Sequence, residues 1–187
     1  MRKLSVKLTA LANKNSVITL TNLYKMLLLS VMLFSTSAFA FTDLDGKPDS
    51  INNHIGKDKW TILEVWSSDC TACRFHMPEM VEFDGKLDNA RLLGVTLDGQ
   101  AGIKDTKEFL AEFDVEFPTI VSNAIEMNIW MQQSIGESLR GTPTFILFDP
   151  EGKLVAAQPG IVAISSLEKF IMSNSTKPVD VSAATKS

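Results

Sequence analysis

The chain alternates short apolar runs with amphipathic stretches, and the period of each indicates an element. Trp60-Thr61-Ile62-Leu63-Glu64-Val65-Trp66 is β-branched, aromatic and apolar apart from one carboxylate, the composition of a buried strand. After it, Met77, Met80, Val81 and Leu87 recur at steps of three, four and seven, which predicts a helix. Next come a strand over residues 91–98, an amphipathic helix over Asp105–Phe113, a short strand over Phe117–Val121 and a short helix over Asn128–Ile135. Thr144–Phe148 and Lys153–Ala157 flank Asp149-Pro150-Glu151-Gly152, a hairpin signal. Ser165-Ser166-Leu167-Glu168 reads as a capping box opening the last helix. With no internal repeat, this pattern predicts one α/β domain over residues 41–173. The small, polar residues 174–187 are expected to form a disordered tail.

The chain's 187 residues suit one domain, and 45% hydrophobic against 21% charged residues excludes a disordered chain. Charge changes the picture at the N-terminus. Residues 1–40 carry Arg2, Lys3, Lys7, Lys14 and Lys25 and no acidic residue, leaving 13 basic against 22 acidic residues in the rest. That acidic body lacks the clustered basic surface that nucleic acid needs, so no nucleic-acid partner is expected. The basic stretch is followed by the apolar run Met26–Phe34 and by small residues through Ala40. This predicts an export signal over residues 1–40, cleaved after Ala40, with an uncleaved N-terminal anchor as the alternative. The run is shorter than the roughly 20 residues that span a bilayer. The expected location is the periplasm.

Cys70 and Cys73 are the two cysteines, spaced Cys-x-x-Cys where a strand hands over to a helix. So short a loop constrains an unfolded chain very little, which makes a stabilising staple a poor explanation of the pair. At a helix start, unpaired N–H groups and the helix dipole favour a thiolate on the first cysteine, the species that attacks disulfides. The competing reading is a soft-metal site built from Cys70, Cys73 and either His54 or His76. Neither histidine falls where such a ligand is expected, and His76 reads as a solvent-facing helix residue beside Arg74 and Glu79.

These residues resemble the thioredoxin superfamily, and within it the exported thiol-disulfide oxidoreductases of the TlpA/ResA type. The likeness runs from Phe41 to Met172. It takes in an opening hairpin at Asp43–Lys47, the segment Val65–Arg74, the kinked helix at Met77-Pro78-Glu79-Met80, the strand Leu93–Asp98 and Gly141-Thr142-Pro143-Thr144. The resemblance implies a thioredoxin-like fold: a central mixed β-sheet flanked by helices, with a strand-helix insertion between the active-site helix and the strand after Pro143. It also implies a cis peptide at Pro143, and a substrate-binding surface made by Thr142, Pro143 and Trp66. Thr71-Ala72 between the cysteines lacks the proline frequent in relatives, and Asp69 stands where many relatives have an aromatic residue.

Glu64 interrupts the first strand six positions before Cys70, where relatives carry a polar residue beneath the active site. It is either an edge-strand carboxylate in water or a buried carboxyl that takes the proton of Cys73; the apolar neighbours favour burial. The expected activity is therefore disulfide exchange by Cys70, Cys73 and Glu64, reducing disulfide-containing protein substrates without a cofactor or metal. A monomer served by a membrane thiol reductant is expected. A DsbA-like oxidase and a copper-binding chaperone of the same fold are the alternatives.

Overall fold

In the computed structural model of the chain, which describes residues 41–175, the run around Glu64 becomes the middle of a five-stranded sheet. The strands are β1 (Trp60–Trp66), β2 (Ala90–Thr96), β3 (Thr119–Val121), β4 (Thr144–Phe148) and β5 (Leu154–Pro159), in the spatial order β3-β2-β1-β4-β5. β1 pairs parallel with β2, and β2 with β3; β4 is antiparallel to both β1 and β5, so the sheet is mixed. The helices are α1 (Thr71–Phe83), α2 (Ile103–Glu112), α3 (Ala124–Ser134) and α4 (Ile164–Ser175). The expected export signal lies outside the described residues, as does the expected tail beyond Ser175. Asn174 and Ser175 of that tail are helical and close α4.

Strand alternation sorts the core into two layers. Trp60, Ile62 and Trp66 of β1 pack with Cys73, Met77, Met80 and Phe83 of α1, Phe109 of α2 and Ile171 of α4. Leu63 and Val65 point the other way, onto Met127 and Met131 of α3 together with Phe41 and Ile51. Central strands covered on both faces must be apolar throughout, which is why the β1 sequence does not alternate. β3 and α3 form the strand-helix element expected between α1 and the Pro143 strand. The opening hairpin closes through Asp43, whose N–H donates to the Lys47 carbonyl at 2.9 Å and whose Oδ1 accepts from the N–H groups of Asp45 and Lys47.

Several boundaries differ from the expectations, and three of the differences have a capping or pairing reason. α3 starts at Ala124 rather than Asn128, because Oδ1 of Asn123 accepts the N–H groups of Ile125 and Glu126 at 3.0 Å each. α4 begins at Ile164, and the Ala163 carbonyl accepts from Ser166 and Leu167; Ser165 therefore lies inside the first turn and caps nothing. β5 runs on to Pro159, paired with Thr144.

Candidate active site

Cys70 is the N-cap of α1: its backbone is extended and its Sγ accepts the N–H of Cys73 at 3.1 Å. The two cysteines are joined as a disulfide with their Cα atoms 5.2 Å apart. Cys70 is partly exposed, whereas Cys73, one turn further in, is wholly buried. The N–H of Cys73 thus points at the accessible sulfur, and it and the dipole of α1 favour negative charge there once the bond is reduced.

The loop ahead of the cysteines is tied to the neighbouring strand. The Ser68 N–H donates to both carboxylate oxygens of Asp98 at 3.1 and 3.2 Å, and Asp98 Oδ2 accepts from Thr106 Oγ1 at 2.7 Å. Asp69 accepts from Ser67 Oγ at 2.7 Å. Arg74, next to Cys73 in sequence, is drawn onto α2. It pairs with Glu112, and its guanidinium lies 5.3 Å from the ring centres of Phe109 and Phe113.

Glu64 is on the face of β1 shared with Ile62 and Trp66, beneath α1, with Gly94 and Phe145 as its partners across the sheet. Its side chain is fully buried, and neither oxygen has a hydrogen-bond partner among the described residues. Burial pushes its pKa up to about 8, because the charged form loses its water.

His76 contradicts the solvent-facing expectation: it is 1% exposed. Its Nε2 lies 3.1 Å from the Val162 carbonyl, its ring stands edge-on to Phe145 at 5.2 Å, and Nδ1 is 3.9 Å from Oε1 of Glu64. The signal was present in the sequence. Cys73, His76, Met77, Met80 and Phe83 follow the helical period of the buried face, and His76 belongs to that stripe. Burial lowers the His76 pKa.

Trp66 also departs from its expected role. It is wholly buried and stacked on Phe109 at 4.5 Å, so it supports the first core layer and cannot touch a substrate. The Thr142–Pro143 peptide is cis. Thr144 pairs with Val65 in antiparallel register, which brings the start of β4 to the end of β1, where the cysteine loop departs. The Pro143 carbonyl accepts the Gly160 N–H at 2.8 Å, while the N–H and C=O of partly buried Thr142 bond to nothing among the described residues. Asp98 and Thr106, which hold the cysteine loop, were not among the residues the sequence singled out. His54 is paired with Asp49 at 2.9 Å. Among the described residues no group of three or more His, Cys, Asp or Glu side chains is gathered to hold a metal ion.

This arrangement can cycle between dithiol and disulfide beside an open backbone segment. Comparison with solved structures finds the same fold in several proteins. A secreted disulfide oxidoreductase of Mycobacterium tuberculosis homologous to Escherichia coli DsbE is 16% identical with a TM-score of 0.55, over 72% of this chain and 95% of that one. The thioredoxin domain of a thiol-disulfide oxidoreductase from Bacteroides vulgatus is 23% identical with a TM-score of 0.57, over 74% and 99%. StoA from Bacillus subtilis is 20% identical with a TM-score of 0.53, over 71% and 94%. At these identities the likeness establishes the thioredoxin fold. Residues 35–157 match the AhpC/TSA family, which spans β1 through most of β5 and includes both cysteines, and the chain belongs to that family.

Proposed function

We propose that the protein is an exported thiol-disulfide oxidoreductase that reduces disulfides in protein substrates. The observation that carries this reading is the asymmetry of the pair, with Cys70 accessible at a helix start and Cys73 buried one turn behind it. The Cys70 thiolate attacks a substrate sulfur, releasing the other as a thiolate and leaving a mixed disulfide. The Cys73 thiolate then attacks Cys70 Sγ. The Cys70–Cys73 bond forms, and the second substrate sulfur leaves with the electron pair and takes a proton from water. An extended substrate segment pairs with the free backbone groups of Thr142 while this happens. Glu64, level in pKa with a thiol at about 8.5, takes the proton of Cys73.

The reducing direction is supported by local charge. Arg74, the cation adjacent to the motif, is committed to Glu112 and the α2 rings, and the residue before Cys70 is the acidic Asp69, so neither sequence neighbour of the pair favours the thiolate. Export to the periplasm is supported by the basic-then-apolar pattern of residues 1–40. There a membrane thiol reductant would restore the dithiol. The test is the equilibrium of the Cys70/Cys73 couple with glutathione. A potential nearer that of thioredoxin, about −270 mV, than that of the oxidant DsbA, about −120 mV, is expected; a value above about −170 mV reassigns the protein as an oxidase. Stoichiometric copper binding by the reduced protein, with no disulfide exchange, would support the metal-binding reading instead.

A further inference from the structure

Glu64 is sealed from solvent, yet in the proposed cycle it must lose and regain a proton at every turnover. The polar side chain beside it is His76, whose Nδ1 lies 3.9 Å from Oε1. The Val162 carbonyl can only accept, so the Nε2 it faces is assigned the hydrogen, and Nδ1 is left as an acceptor directed at Glu64. Nδ1 has no hydrogen-bond partner among the described residues, and neither does either oxygen of Glu64. On the far side, Nε2 stands 3.7 Å from Oε2 of Glu79, whose side chain is 59% exposed. The titratable groups set against the imidazole are thus Glu64 from β1 and Glu79 from its own helix, with the Cys73 thiol one turn earlier on α1. β4 sets the Phe145 ring against it and the segment before α4 the Val162 carbonyl, neither of which titrates.

We propose that His76 is a positioning residue that carries the proton between the buried Glu64 and the exposed Glu79. The proposal rests on the disulfide-exchange reading above and deepens it. When Cys73 is deprotonated by the Glu64 carboxylate and closes the disulfide, Glu64 holds one proton. It passes that proton to Nδ1 while the Nε2 proton leaves to Glu79 and water, which restores the carboxylate and switches the imidazole tautomer. When a thiol donor reduces the disulfide, a proton enters at Nε2 and Nδ1 returns one to Glu64, so the tautomer resets without a ring flip. Burial supports both ends of the exchange, holding Glu64 near a thiol in pKa and the imidazole neutral. The 3.9 Å separation is longer than a direct hydrogen bond, and a sub-ångström side-chain shift closes it.

The experiment mixes reduced protein with excess oxidised glutathione from pH 6 to 9, quenches with acid, and follows by mass the Cys70–glutathione adduct and its decay to the internal disulfide. In His76→Gln, which can still donate to the Val162 carbonyl, adduct formation should stay within about two-fold of wild type while its resolution slows roughly ten- to a hundred-fold. Added imidazole should restore resolution in His76→Ala. Glu79→Gln, a surface change that leaves folding intact, should slow resolution a few-fold. Wild-type resolution by His76→Gln across the window overturns the relay. So does an equal slowing of both steps with no rescue by imidazole, which marks a structural role. A wild-type protein that forms no adduct overturns the disulfide-exchange reading itself, whereas an adduct that resolves regardless of His76 overturns the relay alone.

Discussion

The carboxylate of Asp98, two residues beyond β2, holds the backbone N–H of Ser68 at 3.1 and 3.2 Å, two residues before Cys70. One acidic side chain therefore fixes where the loop leaving β1 turns into α1. Its second bond, from Thr106 Oγ1, anchors that carboxylate to α2. Asp98→Ala leaves the Ser68 N–H and the Thr106 hydroxyl without their charged acceptor, and hydrogen bonds to charged groups contribute about 1.5–3 kcal/mol each. A loss of roughly 2–3 kcal/mol in urea unfolding is expected, with slower adduct formation by Cys70. Asp98→Asn, which keeps an acceptor oxygen, should recover part of both.

The exposure difference between the cysteines sets a trapping experiment. Cys73→Ser should accumulate mixed disulfides through Cys70 in non-reducing gels, because nothing is left to resolve them. Cys70→Ser should accumulate none, since the Cys73 sulfur is wholly buried. Equal trapping by the two variants would mean that Cys73 attacks substrate as readily as Cys70, and the division of labour between them would fall.

How much of this was legible in the sequence depended on the kind of signal. β1, the cysteine pair at a helix start and the Asp149–Lys153 turn were legible because each is a local pattern with a local cause. The turn closes through Gly152 at φ +81° and a Lys153 N–H donated to Asp149 Oδ1 at 2.8 Å. The start of α3 was misread because Asn123 in isolation is as good a loop residue as a cap. His76 and Trp66 were misplaced for a different reason. A histidine flanked by Arg74 and Glu79 looks polar by composition, and only the helical phase relative to Met77 and Met80 puts it inside. A tryptophan next to an active-site loop looks like a contact surface, while the alternation of β1 turns it onto Phe109. The role of Asp98 depends on a contact 30 residues away in sequence, which no local pattern encodes.

Gly94 of β2, the register partner of Glu64, leaves room for Thr119, Trp66 and Phe117. A Cβ there would stand 2.9 Å from Thr119 Oγ1, 3.0 Å from Trp66 Nε1 and 3.3 Å from Phe117. Trp66 is wholly buried and stacked on Phe109, so making room for a methyl group disturbs that packing. Gly94→Ala should therefore destabilise the protein by about 1–3 kcal/mol, the usual cost of overpacking a filled core. Thermal unfolding of the oxidised protein measures it, and an unchanged midpoint would show that the Trp66–Phe109 stack yields.

The buried carboxyl of Glu64 makes stability depend on pH in a particular direction. Its pKa is about 8 in the folded protein against 4.5 for an ordinary glutamate, so between these values the folded chain holds a proton that the unfolded chain has released. Raising the pH through this window therefore favours unfolding, by up to about 1.4 kcal/mol per pH unit and on the order of 4–5 kcal/mol across the whole interval. The contribution is fully present below pH 4.5 and has been lost above pH 8, where both states are ionised. His76 acts oppositely. Its pKa is lowered by burial, so its contribution is present above the ordinary histidine value of 6.5 and is lost as the pH falls. Glu64→Gln removes the first dependence and keeps the second, so the difference between variant and wild type isolates Glu64. Measured by urea unfolding of the oxidised proteins, the advantage of Glu64→Gln should grow steadily from pH 5 to pH 8 and then level off. A constant difference across that range would mean that Glu64 titrates as an ordinary carboxyl. It could then no longer serve as a proton acceptor matched to the Cys73 thiol.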